Sequence, residues 1–68
     1  MTLNEIFVKN MRSVMNDNKF SGLRLSEESS VSRSHMAKIL NGEVGVTLAT
    51  AQKICTALNV EPAVMMEE

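Results

Sequence analysis

An all-α fold of five short helices is what this sequence predicts, and three observations carry the prediction. Apolar residues recur at helical spacing from end to end, and strand-like alternation is missing. Ser21, Ser32 and Thr47 stand just ahead of apolar-periodic runs, where a short hydroxyl side chain caps a helix. Asn41-Gly42 follows the third run, a pair that stops helices. With 68 residues, the chain is one domain's worth on the usual scale of about 100–200 residues per domain.

The first helix places Leu3, Ile6, Phe7, Met11, Val14 and Met15 within about half of a 3.6-residue circumference, opposite Glu5, Lys9, Arg12 and Asn16. Asn10 interrupts this stripe. The run Asn16-Asp17-Asn18-Lys19 ends the helix, because short polar side chains compete with the backbone. Ser21 caps a second helix over about Gly22–Ser30, with Leu23 and Leu25 turned inward and Ser26, Ser29 and Ser30 making its body weakly apolar. Ser32 caps a third, Arg33–Leu40. There Met36, Ala37, Ile39 and Leu40 gather on one side, with Ser34, His35 and Lys38 on the other. Thr47 caps a fourth, Leu48–Leu58, whose stripe is Leu48, Ala51, Ile54, Cys55 and Leu58. Pro62 suits the first turn of a last short helix, from which Val64 and Met65 can pack.

Composition removes several classes. Apolar residues are 44% and charged residues 22% of the chain, too apolar for intrinsic disorder. No apolar run approaches the roughly 20 residues of a membrane span, and the N-terminus lacks the pattern of a signal peptide. One cysteine makes no internal disulfide, and with a single histidine it is too poor a ligand set for structural zinc. Cys55 lies on an apolar stripe as a small hydrophobe, and the many serines form no triad with His35. The expectation is a small cytoplasmic domain, not an enzyme, with no cofactor, no metal and no evident small-molecule ligand. Net charge is −1, yet residues 9–38 sum to +3 and residues 39–68 to −3. A basic face on an acidic body fits that asymmetry.

The central stretch from Leu25 to Gly42 reads as a short helix, a tight turn and a second helix. Its most specific part is Val31-Ser32-Arg33-Ser34, followed at the right distance by Ile39-x-Asn41-Gly42. It resembles the helix-turn-helix of the phage repressor and Cro family, also called xenobiotic-response-element-like, and the likeness runs on through Val44–Val60. The resemblance implies a compact, lambda-repressor-like five-helix DNA-binding domain over residues 1–68, with the helix-turn-helix at about 22–40. The positions matching the family's base readers are Ser32, Arg33, Ser34 and Lys38, and Arg33 is suited to a bidentate pair with guanine. Phosphate contacts fall on Ser21, Gly22 and Leu23 at a helix N-terminus, on His35 at the rim, and on Asn41.

Departures from the family pattern also carry meaning. Gly22 stands where the family often has Gln, and Glu43 where Lys or Arg is common; both weaken sequence-independent affinity. Met15 and Leu40 replace a buried Arg–Glu pair by two apolar residues, an exchange that is often neutral or stabilising. The joint change implies that the first and third helices still meet, with Met15 touching Leu40.

The resulting expectation is a sequence-specific transcriptional regulator of phage or prophage type. It binds a near-palindromic operator in double-stranded DNA as a homodimer, through the major groove. No separate oligomerisation domain fits in this length, so the dimer contact falls on segment 59–68 through Val60, Val64, Met65 and Met66. Two alternatives use the same helices: a protein-binding module such as an antitoxin or antirepressor-like partner, and the controller protein of a restriction–modification operon.

Overall fold

The computed structural model describes residues 1–68. Its five helices are α1 (Leu3–Asp17), α2 (Gly22–Ser29), α3 (Arg33–Leu40), α4 (Leu48–Leu58) and α5 (Pro62–Met65). Each of the first four begins on a hydroxyl that accepts from the backbone three residues on. Ser21 Oγ takes the Arg24 amide at 3.0 Å, Ser32 Oγ the His35 amide at 3.1 Å and Thr47 Oγ1 the Thr50 amide at 3.1 Å. At Thr2 the cap is reciprocal, because the Thr2 amide also donates to Glu5 Oε1 at 2.8 Å. That backbone hydrogen bond to the carboxylate, with a second from the Thr2 side chain, holds the Glu5 pKa below its ordinary value.

The helix ends follow one design. Gly42 sits at φ 73°, and its amide and that of Glu43 return to the carbonyls of Ile39 and Lys38. Asn59 closes α4 the same way at φ 57°, and Lys19 closes α1 at φ 55°. The polar run after α1 therefore stops it, but Lys19 is the residue that takes the left-handed conformation. Ser30 is left-handed too, at φ 63°, so α2 ends at Ser29 and not at Ser30. A side chain at such a position costs about 1–2 kcal/mol. Ser30→Gly is therefore expected to raise the thermal midpoint and Ser30→Val to lower it, as thermal unfolding followed by circular dichroism will show.

One core joins all five helices. It contains Phe7 and Met11 from α1, Leu25 from α2, Met36 and Ile39 from α3, Ile54 and Leu58 from α4, and Met65 from α5. Helix α2 packs on α3 and α4, α5 on α1 and α4, and α1 on α3. Met15 is buried in this core and Leu40 is packed against it, while the Arg12 guanidinium donates to the Leu40 carbonyl. The first and third helices thus meet near their ends. Cys55 is buried as a small hydrophobe, and desolvation pushes its thiol pKa up.

Several inward assignments need correction. Leu23 is 46% exposed, Leu3 68% and Leu48 87%. All three belong to the first turns of their helices, which are only partly covered by the rest of the fold. Ala37 is also exposed. Conversely, Ser26 and Ser29 are buried, each donating its hydroxyl to a backbone carbonyl of its own helix, Leu23 at 2.8 Å and Leu25 at 2.6 Å. A serine satisfied in this way takes less room than a leucine, so α2 can lie close to its neighbours.

Asn10 breaks the α1 stripe for a reason that lies far along the chain. Its Nδ2 faces the carbonyls of Val64, Met65 and Glu67, at 3.5, 2.9 and 2.7 Å. These carbonyls lie at and just beyond the end of α5, where a helix leaves its last carbonyls short of donors; only that of Val64 also accepts a backbone amide, from Glu67 at 3.4 Å. Asn10→Leu keeps the volume and removes the donor. It is expected to loosen α5 and to cost about 1–3 kcal/mol, with hydrogen-exchange protection lost first at Met65 and Met66. Asn4 plays a similar part for the α3–α4 loop, accepting from the Val46 amide at 2.9 Å.

Candidate nucleic-acid interface

The outward face of α3 is set by its period. Arg33, Ser34, Ala37, Lys38 and the capping Asn41 are exposed, while Met36 and Ile39 are buried on the opposite side. Ser32 stands exposed at the head of the helix. Its oxygen is used as the cap, which leaves its O–H free to donate outward. His35 is half-buried at the edge of this face. The tight turn that aims α3 consists of Ser30, Val31 and Ser32, with Val31 buried and its amide donating to Ser29 Oγ at 3.4 Å.

The N-terminus of α2 lies beside that face. Gly22 and Leu23 share a groove of about 220 Å³ with Arg33, Met36, Ala37 and Leu40. A Cβ at residue 22 would lie 3.5 Å from Leu40 Cδ1, so the two helices come close here. The amides of Gly22 and Leu23 precede the first hydrogen bond inside α2, which makes them free donors at a helix N-terminus. On the same helix Arg24 lies 4.1 Å from the Phe20 ring centroid and pairs with Glu28 at 2.7 Å. The structure thus brings Gly22 and Leu23 alongside residues of α3, with Ser21 before them as the α2 cap.

Asn41 is less free. Its Nδ2 donates to Glu43 Oε2 at 3.4 Å, which sets a carboxylate beside the amide. On its other flank a groove of about 510 Å³ joins Asn41 and Gly42 to Lys9, Arg12 and Glu5 of α1. The cations Lys9 and Arg12 were not among the contact candidates in the sequence. Their signal is spacing alone: they share one face of α1, which the contact with α3 turns toward Asn41.

These features are those of a helix presented to a DNA groove, and comparison with known families decides the matter. Residues 10–67 match the Cro/C1-type HTH DNA-binding domain. The chain belongs to this family. Neither the curated proteins nor the solved structures contain a significant match. As a Cro/C1-type domain the chain is a DNA-binding transcription regulator whose partner is double-stranded DNA, and the family is typically non-enzymatic. No helix is long and apolar enough to cross a membrane.

The expected dimer residues are not all on the surface. Met65 is 0% exposed, because it closes the core beneath α5, so it has no outward side to offer. Val60 is half-buried and packed against the core. Val64 and Met66 are exposed, and Met66 lines a groove of about 170 Å³ with Leu3, Phe7, Val46, Leu48 and Ala51. The exposed first-turn residues Leu3 and Leu48 thus adjoin the end of the chain.

Proposed function

We propose that this Cro/C1-type domain acts as a single-domain repressor of phage or prophage type, binding a near-palindromic operator as a dimer. The observation that carries this reading is the exposed face of α3, where Arg33, Ser34 and Lys38 stand together beside the free amides of α2. A helix presenting such a face fits the roughly 12 Å major groove. Arg33 pairs with guanine O6 and N7, Lys38 donates to a neighbouring acceptor, and Ser32 and Ser34 read more weakly. Phosphates on either side are held by Ser21, by the Gly22 and Leu23 amides, by His35 and by Asn41. Glu43 lowers the sequence-independent part of the affinity by opposing the phosphate that Asn41 approaches.

Two recognition helices in successive grooves stand ~34 Å apart. A molecule measuring 27 × 23 × 20 Å is commensurate with that spacing when two copies lie side by side on the duplex. The dimer contact then forms from segment 59–68, with Val60, Val64 and Met66 as its apolar members and Leu3 and Leu48 beside them. Repression follows when the bound dimer blocks access of polymerase to the same stretch of DNA.

Sedimentation of the protein with a selected duplex tests this directly. The expected complex holds two protomers per near-palindromic site, and Leu48→Glu with Met66→Glu reduces it to one weakly held protomer. Saturation at one protomer per duplex, with the free protein monomeric even at high concentration, would overturn the dimer reading.

A further inference from the structure

One residue on the outward face of α3 takes no part in the contacts above. Ala37 is exposed one helical turn beyond Arg33 and directly before Lys38. Near it, at the start of α2, stands Leu23, which is 46% exposed. The groove they share is open because residue 22 has no side chain, and Leu40 Cδ1 lies beneath that position. Apart from Arg33, the side chains lining it carry no donor or acceptor able to pair with a base. This is an apolar recess built into a DNA-binding face, and it is continuous with that face through Arg33.

The base edges in a major groove offer one kind of apolar group: the C5-methyl of a pyrimidine, present on thymine and on methylated cytosine. We propose that Ala37, with Leu23 beside it, reads the C5-methyl of a pyrimidine in each half-site. The inference rests on the DNA-binding role of α3 proposed above. Four residues along a helix advance about 6 Å, and successive bases are 3.4 Å apart along a strand. The methyl therefore lies roughly two base steps from the guanine that Arg33 engages. Burial of one methyl-sized group is worth about fourfold in affinity per half-site.

The test uses the full chain and the duplex it enriches from random DNA. Each thymine of that duplex is replaced in turn by uracil, which lacks only the methyl, and each cytosine by 5-methylcytosine. The expected result is about a fourfold methyl-dependent difference at one pyrimidine per half-site, and the arm that shows it identifies the base. The difference disappears in Ala37→Gly and in Ala37→Ser, the second of which keeps the helix while replacing the methyl surface by a hydroxyl. An enriched site indifferent to the methyl in both arms overturns this inference alone. So does a methyl dependence that persists in both folded variants. A chain that enriches no sequence at all overturns the DNA reading together with it.

Discussion

Arg33→Ala is expected to abolish discrimination at one base position in each half-site of the proposed operator while leaving the fold intact. The guanidinium stands exposed at the first position of α3, so its removal takes nothing from the core. A bidentate Arg–guanine pair is worth about 1–3 kcal/mol of discrimination. With two half-sites the loss is counted twice, so affinity for the preferred duplex falls by roughly 2–6 kcal/mol. Lys38→Ala acts differently, because an ammonium is a point charge and not a planar fork. Its loss is smaller and spread over neighbouring bases. Fluorescence anisotropy against a set of single-base variants of the selected duplex separates the two. Arg33→Ala flattens the profile at one position, and the double variant falls to the affinity for random DNA. A double variant that retains the wild-type profile would remove α3 from recognition.

The largest effect on stability is expected at Ile54, which is fully buried midway along α4. Truncating a buried isoleucine to alanine costs about 2–5 kcal/mol, a sum of lost transfer energy and residual cavity. A chain of 68 residues has a total stability of only about 3–10 kcal/mol at 0.05–0.15 kcal/mol per residue. Ile54→Ala therefore lowers the thermal midpoint by roughly 8–40 °C, at about 4–8 °C per kcal/mol for a domain of this size. Leu48→Ala is the matching control from the same helix. Its side chain is 87% exposed, so its stability should stay within about 0.5 kcal/mol of the parent, a midpoint shift of no more than about 2–4 °C. Equal losses at the two positions would mean that α4 is turned differently about its axis.

Much of this architecture can be read from local chemistry, because the signals involved act over three or four residues. Ser21, Ser32 and Thr47 cap the helices they precede, and Asn41-Gly42 supplies the left-handed stop that an α-helix needs. The Cro/C1-type turn carries its own signature in Val31-Ser32-Arg33-Ser34, which places the recognition helix and its charged face. What periodicity leaves open is the partner of each stripe. Leu3, Leu23 and Leu48 satisfy the apolar period and are still exposed, each in the first turn of its helix. Ser26 and Ser29 look like surface residues until each is seen to satisfy its hydroxyl within α2.

The site follows the same division. Arg33, Ser34 and Lys38 are polar residues on a motif, and their exposure agrees with the expectation formed from it. Ala37 satisfies the apolar period of α3, yet it is exposed one helical turn beyond Arg33 and directly before Lys38. The bond from Asn10 to Met65 and the groove that sets Lys9 and Arg12 beside Asn41 depend on helices meeting across long stretches of chain. Nothing within a few residues of them announces it. Met65 shows the reverse case, where a methionine near the end of the chain fills the core instead of the surface.

Selection from a pool of random duplex DNA at two salt concentrations tests the central claim most directly. The expected result is enrichment of a near-palindromic motif that contains a guanine in each half-site. Affinity should also fall with salt, with a slope near 0.9 for each phosphate neutralised. A folded, helical protein that enriches no sequence even at low salt would contradict it, and α3 would then be the scaffold for a protein partner.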